Sequence, residues 1–326
     1  AIERGALNTV LPELTGLSAT ARKHRHSAEA AGLAGLFAEY YYLSGQTRAA
    51  RDRLDEYARG AGADRPGPVQ ARAQLLYARF RLQEGDPGAA RQMAEGARRS
   101  YEDMHDDAGV AAADLTRAEI EREFGDERAA ESYYEAARRV FTKVHDMDGV
   151  YRVALGKAAL VLWRGETASA LRLLPPIIRH FQGSGNAMQA LAATLLLQWA
   201  EFERTGDRTR ALQALRASKQ RAMKQRYARL AAEAQMLIAC VYRRASDHVV
   251  AEQELAAGQK LYAALGRHEQ PWRCEVGAAE EASEAKASAT SARPAGPAAK
   301  HRPTGVAGAG GQTRDGRRAA APARPR

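Results

Sequence analysis

Leu43-Ser44-Gly45-Gln46, Gln83-Glu84-Gly85-Asp86, Glu123-Phe124-Gly125-Asp126, Trp163-Arg164-Gly165-Glu166 and Arg204-Thr205-Gly206-Asp207 are five versions of one turn, and the spacing of their glycines decides the fold. The separations are 40, 40, 40 and 41 residues. One further step of 40 reaches Ser246 in Arg244-Ala245-Ser246-Asp247, and one step back reaches Gly5. Five residues beyond the turn positions stand Val10, Ala50, Ala90, Ala130, Ala170, Ala211 and Ala251; seven before the last six stand Ala38, Ala78, Ala118, Ala158, Trp199 and Ala239. A period of this size is the signature of an architecture in which one supersecondary unit is stacked many times over.

The unit is a helical hairpin. Ala, Leu, Arg, Glu and Gln crowd both sides of each turn and favour helix intrinsically, while glycine suits the left-handed residue that ends a helix. The Asp, Glu or Gln that follows stands where it can satisfy free N–H groups at the start of the next helix. In that second helix Ala50, Leu54 and Tyr57, or Ala170, Leu174 and Ile177, are spaced four then three and share one face. The two alanine positions fall on facing helices, where small side chains let the axes approach closely. Between hairpins a second recurrence appears, with His105, His145, Gly185 and Gly266 at equivalent places.

With Gly at the turn, Ala five residues later, a small residue seven before and a large one nine after (Leu14, Leu54, Tyr134, Leu174, Leu215 and Leu255, with Ala94 the exception), the chain resembles the tetratricopeptide family over about residues 1–268. The usual period there is about 34 residues, and the usual proline closing the second helix is absent here. The longer unit resembles the elongated variety found in the superhelical domain of maltose-type transcription activators and in other signalling scaffolds. The resemblance implies an all-α, right-handed α-solenoid of stacked antiparallel helix pairs whose first helices line an inner wall that holds peptides. Residues 1–26 read as a half repeat, the second helix of a truncated hairpin, and 27–268 as six full hairpins. Pro271 and Trp272 fit a closing helix over 269–282, and the Ala/Gly/Pro/Arg-rich stretch 283–326 reads as a disordered basic tail. Trp199 in place of alanine and Ser246 in place of glycine predict altered packing in those two repeats. Because Gly5 is a turn position, upstream sequence is expected, and with it a further domain in cis.

Composition agrees with a folded array. The 326 residues carry 45% apolar and 27% charged side chains, and Lys and Arg exceed Asp and Glu by ten. Eight of those basic residues against Asp315 alone fall in 293–326, so the array itself is only mildly basic. No apolar run is long enough to span a bilayer, Ala1-Ile2-Glu3-Arg4 does not open a signal peptide, and two cysteines make no disulfide framework. A cytoplasmic setting is the resulting expectation.

Six and three residues before each turn, on the face turned from the second helix, stand Glu39 and Tyr42, Arg79 and Leu82, Glu119 and Arg122, Ala159 and Leu162, Ala200 and Glu203, Cys240 and Arg243. Adding the neighbours Arg72, Arg152, Trp163, Arg204 and Arg244 gives a candidate peptide groove richer in Arg than in acid, suited to acidic peptides through forked hydrogen bonds. The bland alternative is ordinary solvated arginine. Tyr40-Tyr41-Tyr42 must send at least one ring into the core, and Trp163 and Trp199 lie in apolar stretches that read as packing. His24 and His26 diverge on a helix and have no companion ligands, His105-Asp106 and His145-Asp146 recur as junction geometry, and Cys240 reads as a small core residue. No phosphate-binding loop, nucleophile elbow or zinc motif is present, so neither catalysis nor a cofactor or metal is expected. The reading is a non-catalytic scaffold for a protein or peptide partner, with no membrane contact and nucleic acid touched only weakly by the tail. The alternative is a regulatory or sensor arm of a larger transcription regulator or signalling enzyme.

Overall fold

The computed structural model describes residues 7–23, 27–59, 67–124 and 126–266. Thirteen helices fill them: α1 Leu7–Lys23, α2 Ser27–Leu43, α3 Thr47–Arg59, α4 Pro68–Gln83, α5 Pro87–Asp103, α6 Asp107–Phe124, α7 Glu127–Lys143, α8 Met147–Trp163, α9 Thr167–Gly183, α10 Ala187–Thr205, α11 Arg208–Lys224, α12 Ala228–Arg244 and α13 His248–Ala264. No strand occurs among the described residues. From α2 onward the helices pack as consecutive antiparallel pairs, α2 with α3 through α12 with α13, and α1 packs on α2. The expected closing helix (269–282) and tail (283–326), and the histidines 24 and 26, lie outside the described residues.

Wherever the residue after a helix is described, the helix ends on a left-handed residue. Within hairpins these are Gly45, Gly85 and Gly165 (φ 78° each), Gly206 (φ 67°) and Ser246 (φ 59°); between them stand His105 (φ 55°), His145 (φ 59°), Gly185 (φ 74°), Arg226 (φ 63°) and Gly266 (φ 71°). At Gly45 the N–H of Gln46 reaches back to the Tyr41 carbonyl (2.8 Å) and the N–H of Gly45 to that of Tyr42 (3.1 Å). This pair of bonds satisfies carbonyls the helix leaves open. The same pair recurs around Gly85, His105, His145, Gly165, Gly185, Arg226 and Ser246. The following residue then caps the next helix: the side chains of Asp86, Asp106, Asp126, Asp146, Asn186 and Asp207 each accept the N–H three residues on.

The alanine seam forms as the spacing predicts. Ala38, Ala50, Ala78, Ala90, Ala118, Ala130, Ala158 and Ala170 are all completely buried. The fifth pair packs differently from the others, as Trp199 predicts. Helix α10 runs to Thr205 and ends in a single bond from the Gly206 N–H to the Phe202 carbonyl, so Ala200 enters the seam fully buried and Trp199 packs beside Phe202 at 5.5 Å. Ser246, by contrast, leaves its turn unchanged, because it adopts the left-handed conformation of its glycine counterparts. One aromatic sixteen residues past the turn joins successive pairs: Tyr101, Phe141 and Phe181 are buried, and the first two press against Gly109 and Gly149 of the next first helix, where a Cβ would collide with the ring. Polar staples add to this contact, as Arg91 and Arg117 both donate to the buried Glu121 carboxylate.

One contact has no counterpart in the repeat pattern. Thr47 Oγ1 donates to the Leu265 carbonyl at the end of α13 (2.9 Å), and Gly45 lies directly against Ala228 and Leu265. Val10, Leu14, Phe37 and Tyr40 belong to the same apolar cluster as Leu191, Leu215, Leu237 and Ile238. The first described hairpin therefore shares a core with the last ones.

Gly45 and Gly165 separate backbone from closure effects, since both have φ 78° but only Gly45 has neighbours where a Cβ would stand. Gly165→Ala is expected to cost about 1–2 kcal/mol from the left-handed backbone alone. Gly45→Ala should cost more, by about 1–3 kcal/mol of overpacking. Urea unfolding of the two variants side by side reads the difference; equal losses would mean the two ends do not touch in solution.

Candidate functional site

The first helices of successive pairs, α2, α4, α6, α8, α10 and α12, also pack on one another and form a continuous layer. Several residues singled out in the sequence meet there. Arg122, near the end of α6, lies over the Trp163 ring of α8 with its guanidinium carbon 4.8 Å from the centroid. Burial disfavours the Arg122 charge, but Tyr134 and the carboxylates of Glu119 and Glu123 outweigh it, and its pKa is raised. Tyr134 itself is pushed up to about 12, chiefly by burial. Tyr42 of α2 sets its ring edge-on to Phe80 at 5.0 Å.

The side chain that ties these together is Arg229, at the start of α12. Its Nε donates to Glu233 (2.8 Å), and the charge of Glu233 above all holds its pKa well above the usual value. Burial opposes that shift, and further support comes from Glu123 on α6 and Tyr42 on α2. Side chains from α2, α6, α8 and α12 thus bear on one region, with both signs of charge and two aromatic rings. Sequence reasoning missed Glu123, Arg229 and Glu233. Arg229 stands seventeen residues before its turn position, where the other repeats have Pro68, Ala108, Asp148 and Gln189, so no recurrence marks it.

The remaining candidates divide. Arg72 pairs with Glu39 at 2.8 Å, and Arg244 lies 3.6 Å from Glu203. Burial pushes the Tyr101 hydroxyl up to about 12, against the pull of Arg72 and the half-buried Arg79. Three others turn toward second helices instead of joining the cluster, and for Arg152 and Arg243 a partner there engages the guanidinium. Arg152 lies over the Phe141 ring of α7 (5.6 Å) and near Asp146, Arg243 is 3.6 Å from Glu252 on α13, and Arg204 lines a shallow cleft against α11 with Glu201 and Asp207. The count of arginine against acid therefore does not describe the layer: Arg72, Arg122, Arg229 and Arg244 each have carboxylates beside them.

Other readings resolve simply. Tyr40 is the core ring of its triplet, with Tyr41 and Tyr42 half-buried. Cys240 is buried as expected but is disulfide-bonded, not a free thiol. Among the described residues no three His, Cys, Asp or Glu side chains converge as a metal site would require, and no helix is long and apolar enough to cross a membrane.

Replacing Arg122 by Met should cost about 1 kcal/mol, the worth of a cation–π contact of intermediate exposure. A double-mutant cycle with Trp163→Phe, followed by urea unfolding, should return a coupling of about 0.5–1 kcal/mol. Strictly additive losses would show that the guanidinium does not rest on that indole.

No family model matches the chain, and no curated protein matches it. Among solved structures it is similar to a Rap protein complexed with Competence and Sporulation Factor, with a TM-score of 0.54 and 14% sequence identity over 80% of this chain and 77% of that one. At that identity the likeness is one of fold: a tetratricopeptide-like helical repeat.

Proposed function

We propose that the chain is a non-catalytic interaction scaffold whose layer of first helices holds a peptide or helical segment of a partner protein. The observation that carries this reading is the convergence of Tyr42, Glu119, Arg122, Trp163 and Arg229, drawn from hairpins far apart in sequence. Such a surface has three ways to grip a chain. The indole and phenol faces provide area with a polar tip. Guanidinium groups donate to backbone carbonyls and carboxylates in a fixed fork. Glu119 and Glu123 accept from backbone N–H groups or basic side chains. A site with both signs selects a segment by its charge pattern, since each misplaced charge is left facing its like.

The similar solved structure supports the reading in one respect, because that protein is a complex with a factor. The same observation favours a second reading, in which the solenoid is a regulatory arm whose ligand shifts an equilibrium in a larger regulator. The 40-residue unit, which resembles that of maltose-type transcription activators, belongs with this alternative.

Selection of a random displayed-peptide library on the full chain, followed by anisotropy titration of the recovered peptide, tests the placement. Trp163→Ala and Arg122→Ala should each weaken that peptide at least about tenfold, equivalent to about 1.4 kcal/mol. A recovered peptide that binds both variants as tightly as the parent would put the binding surface elsewhere.

A further inference from the structure

Helix α11 differs in charge from every other second helix of the array. Between Arg208 and Lys224 it carries six Lys and Arg and no Asp or Glu, and Arg226 follows in the turn. Its counterparts carry far less net charge: α3 has four basic and three acidic residues, α5 three and three, α7 four and three, α9 two and none, and α13 one and two. The mixed helices bind their charges internally, as in Arg53 with Glu56, Arg98 with Glu102 and Arg138 with Glu135. Helix α11 has no acidic residue to do the same.

The surroundings absorb only part of this excess. Arg208 reaches Asp247 at 2.8 Å, and Arg210, largely exposed, comes only within 3.9 Å of Glu201. Arg216 donates to the Tyr242 hydroxyl (2.8 Å) and Lys219 to the Gln235 side-chain carbonyl, so both end on neutral oxygens. Arg221, Lys224 and Arg226 are exposed, and among the described residues no carboxylate stands within ion-pair distance of them. The charge is therefore available on a helix face whose middle is filled by the exposed, uncharged Gln213, Ala217 and Gln220.

We propose that this face of α11 is a second docking surface, separate from the layer of first helices, and that its occupant is an acidic protein segment. From Arg210 to Lys224 the strip runs about 21 Å at 1.5 Å per residue, the reach of a short acidic helix or strand. Arginine forks bind carboxylates in pairs, and glutamine amides between them can serve backbone groups. Its width argues for a protein segment over a nucleic acid. The strip is one helix wide, with Glu201 and Asp207 at its start, Asp247 beside Arg208, and Glu254 bonded to the same Gln235 that Lys219 reaches, and a phosphate backbone spreading past it would meet those carboxylates.

The test titrates fluorescein-labelled oligoglutamate with the full chain at low ionic strength, where exposed charges are least screened. Arg216→Glu, Arg221→Glu and Lys224→Glu are combined in one variant; all three side chains are exposed, and circular dichroism checks the fold. The basic stretch 293–326 contributes equally to parent and variant, so the difference between them reads α11 alone. Affinity is expected to fall at least about tenfold in the α11 variant and by less than about twofold in Arg72→Ala/Arg79→Ala, which tests the first-helix layer. A loss below twofold in the α11 variant overturns the proposal. So does a duplex DNA probe of equal charge that binds α11 more tightly than oligoglutamate does, which would make the strip a nucleic-acid contact.

Discussion

The array depends on a backbone constraint: the chain must turn left-handed about every twenty residues. Each such residue ends one helix, and at most of them an Asp or Asn follows that caps the next, so the stop and the start are a single device. Because the interval is nearly constant, most helices come out at 17 residues and the alanines fall in phase on facing helices. Those alanines are buried completely because nothing larger fits where two axes approach. A slip of one residue at any turn would rotate every later contact on that helix by about 100°.

Helix α10 shows how the array tolerates such a slip. The 41-residue interval before Gly206 is absorbed by a longer helix with a simpler terminal bond, and Ala200 takes the seam position from Trp199. The repeat spacing made the hinges and the seam legible before any coordinates, down to individual alanines. It did not reveal that Arg226 would be left-handed like Gly185 and Gly266, because a conformation that costs a non-glycine residue about 1–2 kcal/mol is forced by the packing on both sides and leaves no mark in residue type.

The candidate site was legible only in part, for a geometric reason. Offsets from a turn say which face of a helix a residue occupies, and they assign Tyr42, Glu119, Arg122 and Trp163 to first helices, α2, α6 and α8 in the structure. They say nothing about which hairpins face each other, since that follows from small rotations between pairs summed over the whole array. The approach of α12 to α2 and α6, which brings in Arg229 and Glu233, is such a sum. Nor do offsets foresee where a long guanidinium will end. Arg152 and Arg243 leave the layer for Phe141 and Glu252 because those partners lie within the reach of a flexible stem.

Charge then separates two kinds of surface on one scaffold. Arginines in the first-helix layer sit beside carboxylates that hold them in place, so a ligand there must exchange existing pairs and gains selectivity more than raw affinity. On α11 the basic groups have no carboxylate partner on their own helix and Arg221 and Lys224 stand exposed, so an acidic chain would be drawn in by long-range attraction and held loosely, with a rate that falls as salt rises. The first arrangement favours discrimination and the second favours capture. A solenoid can carry both because its first and second helices face different sides of the array, and a segment captured on one does not compete for room on the other.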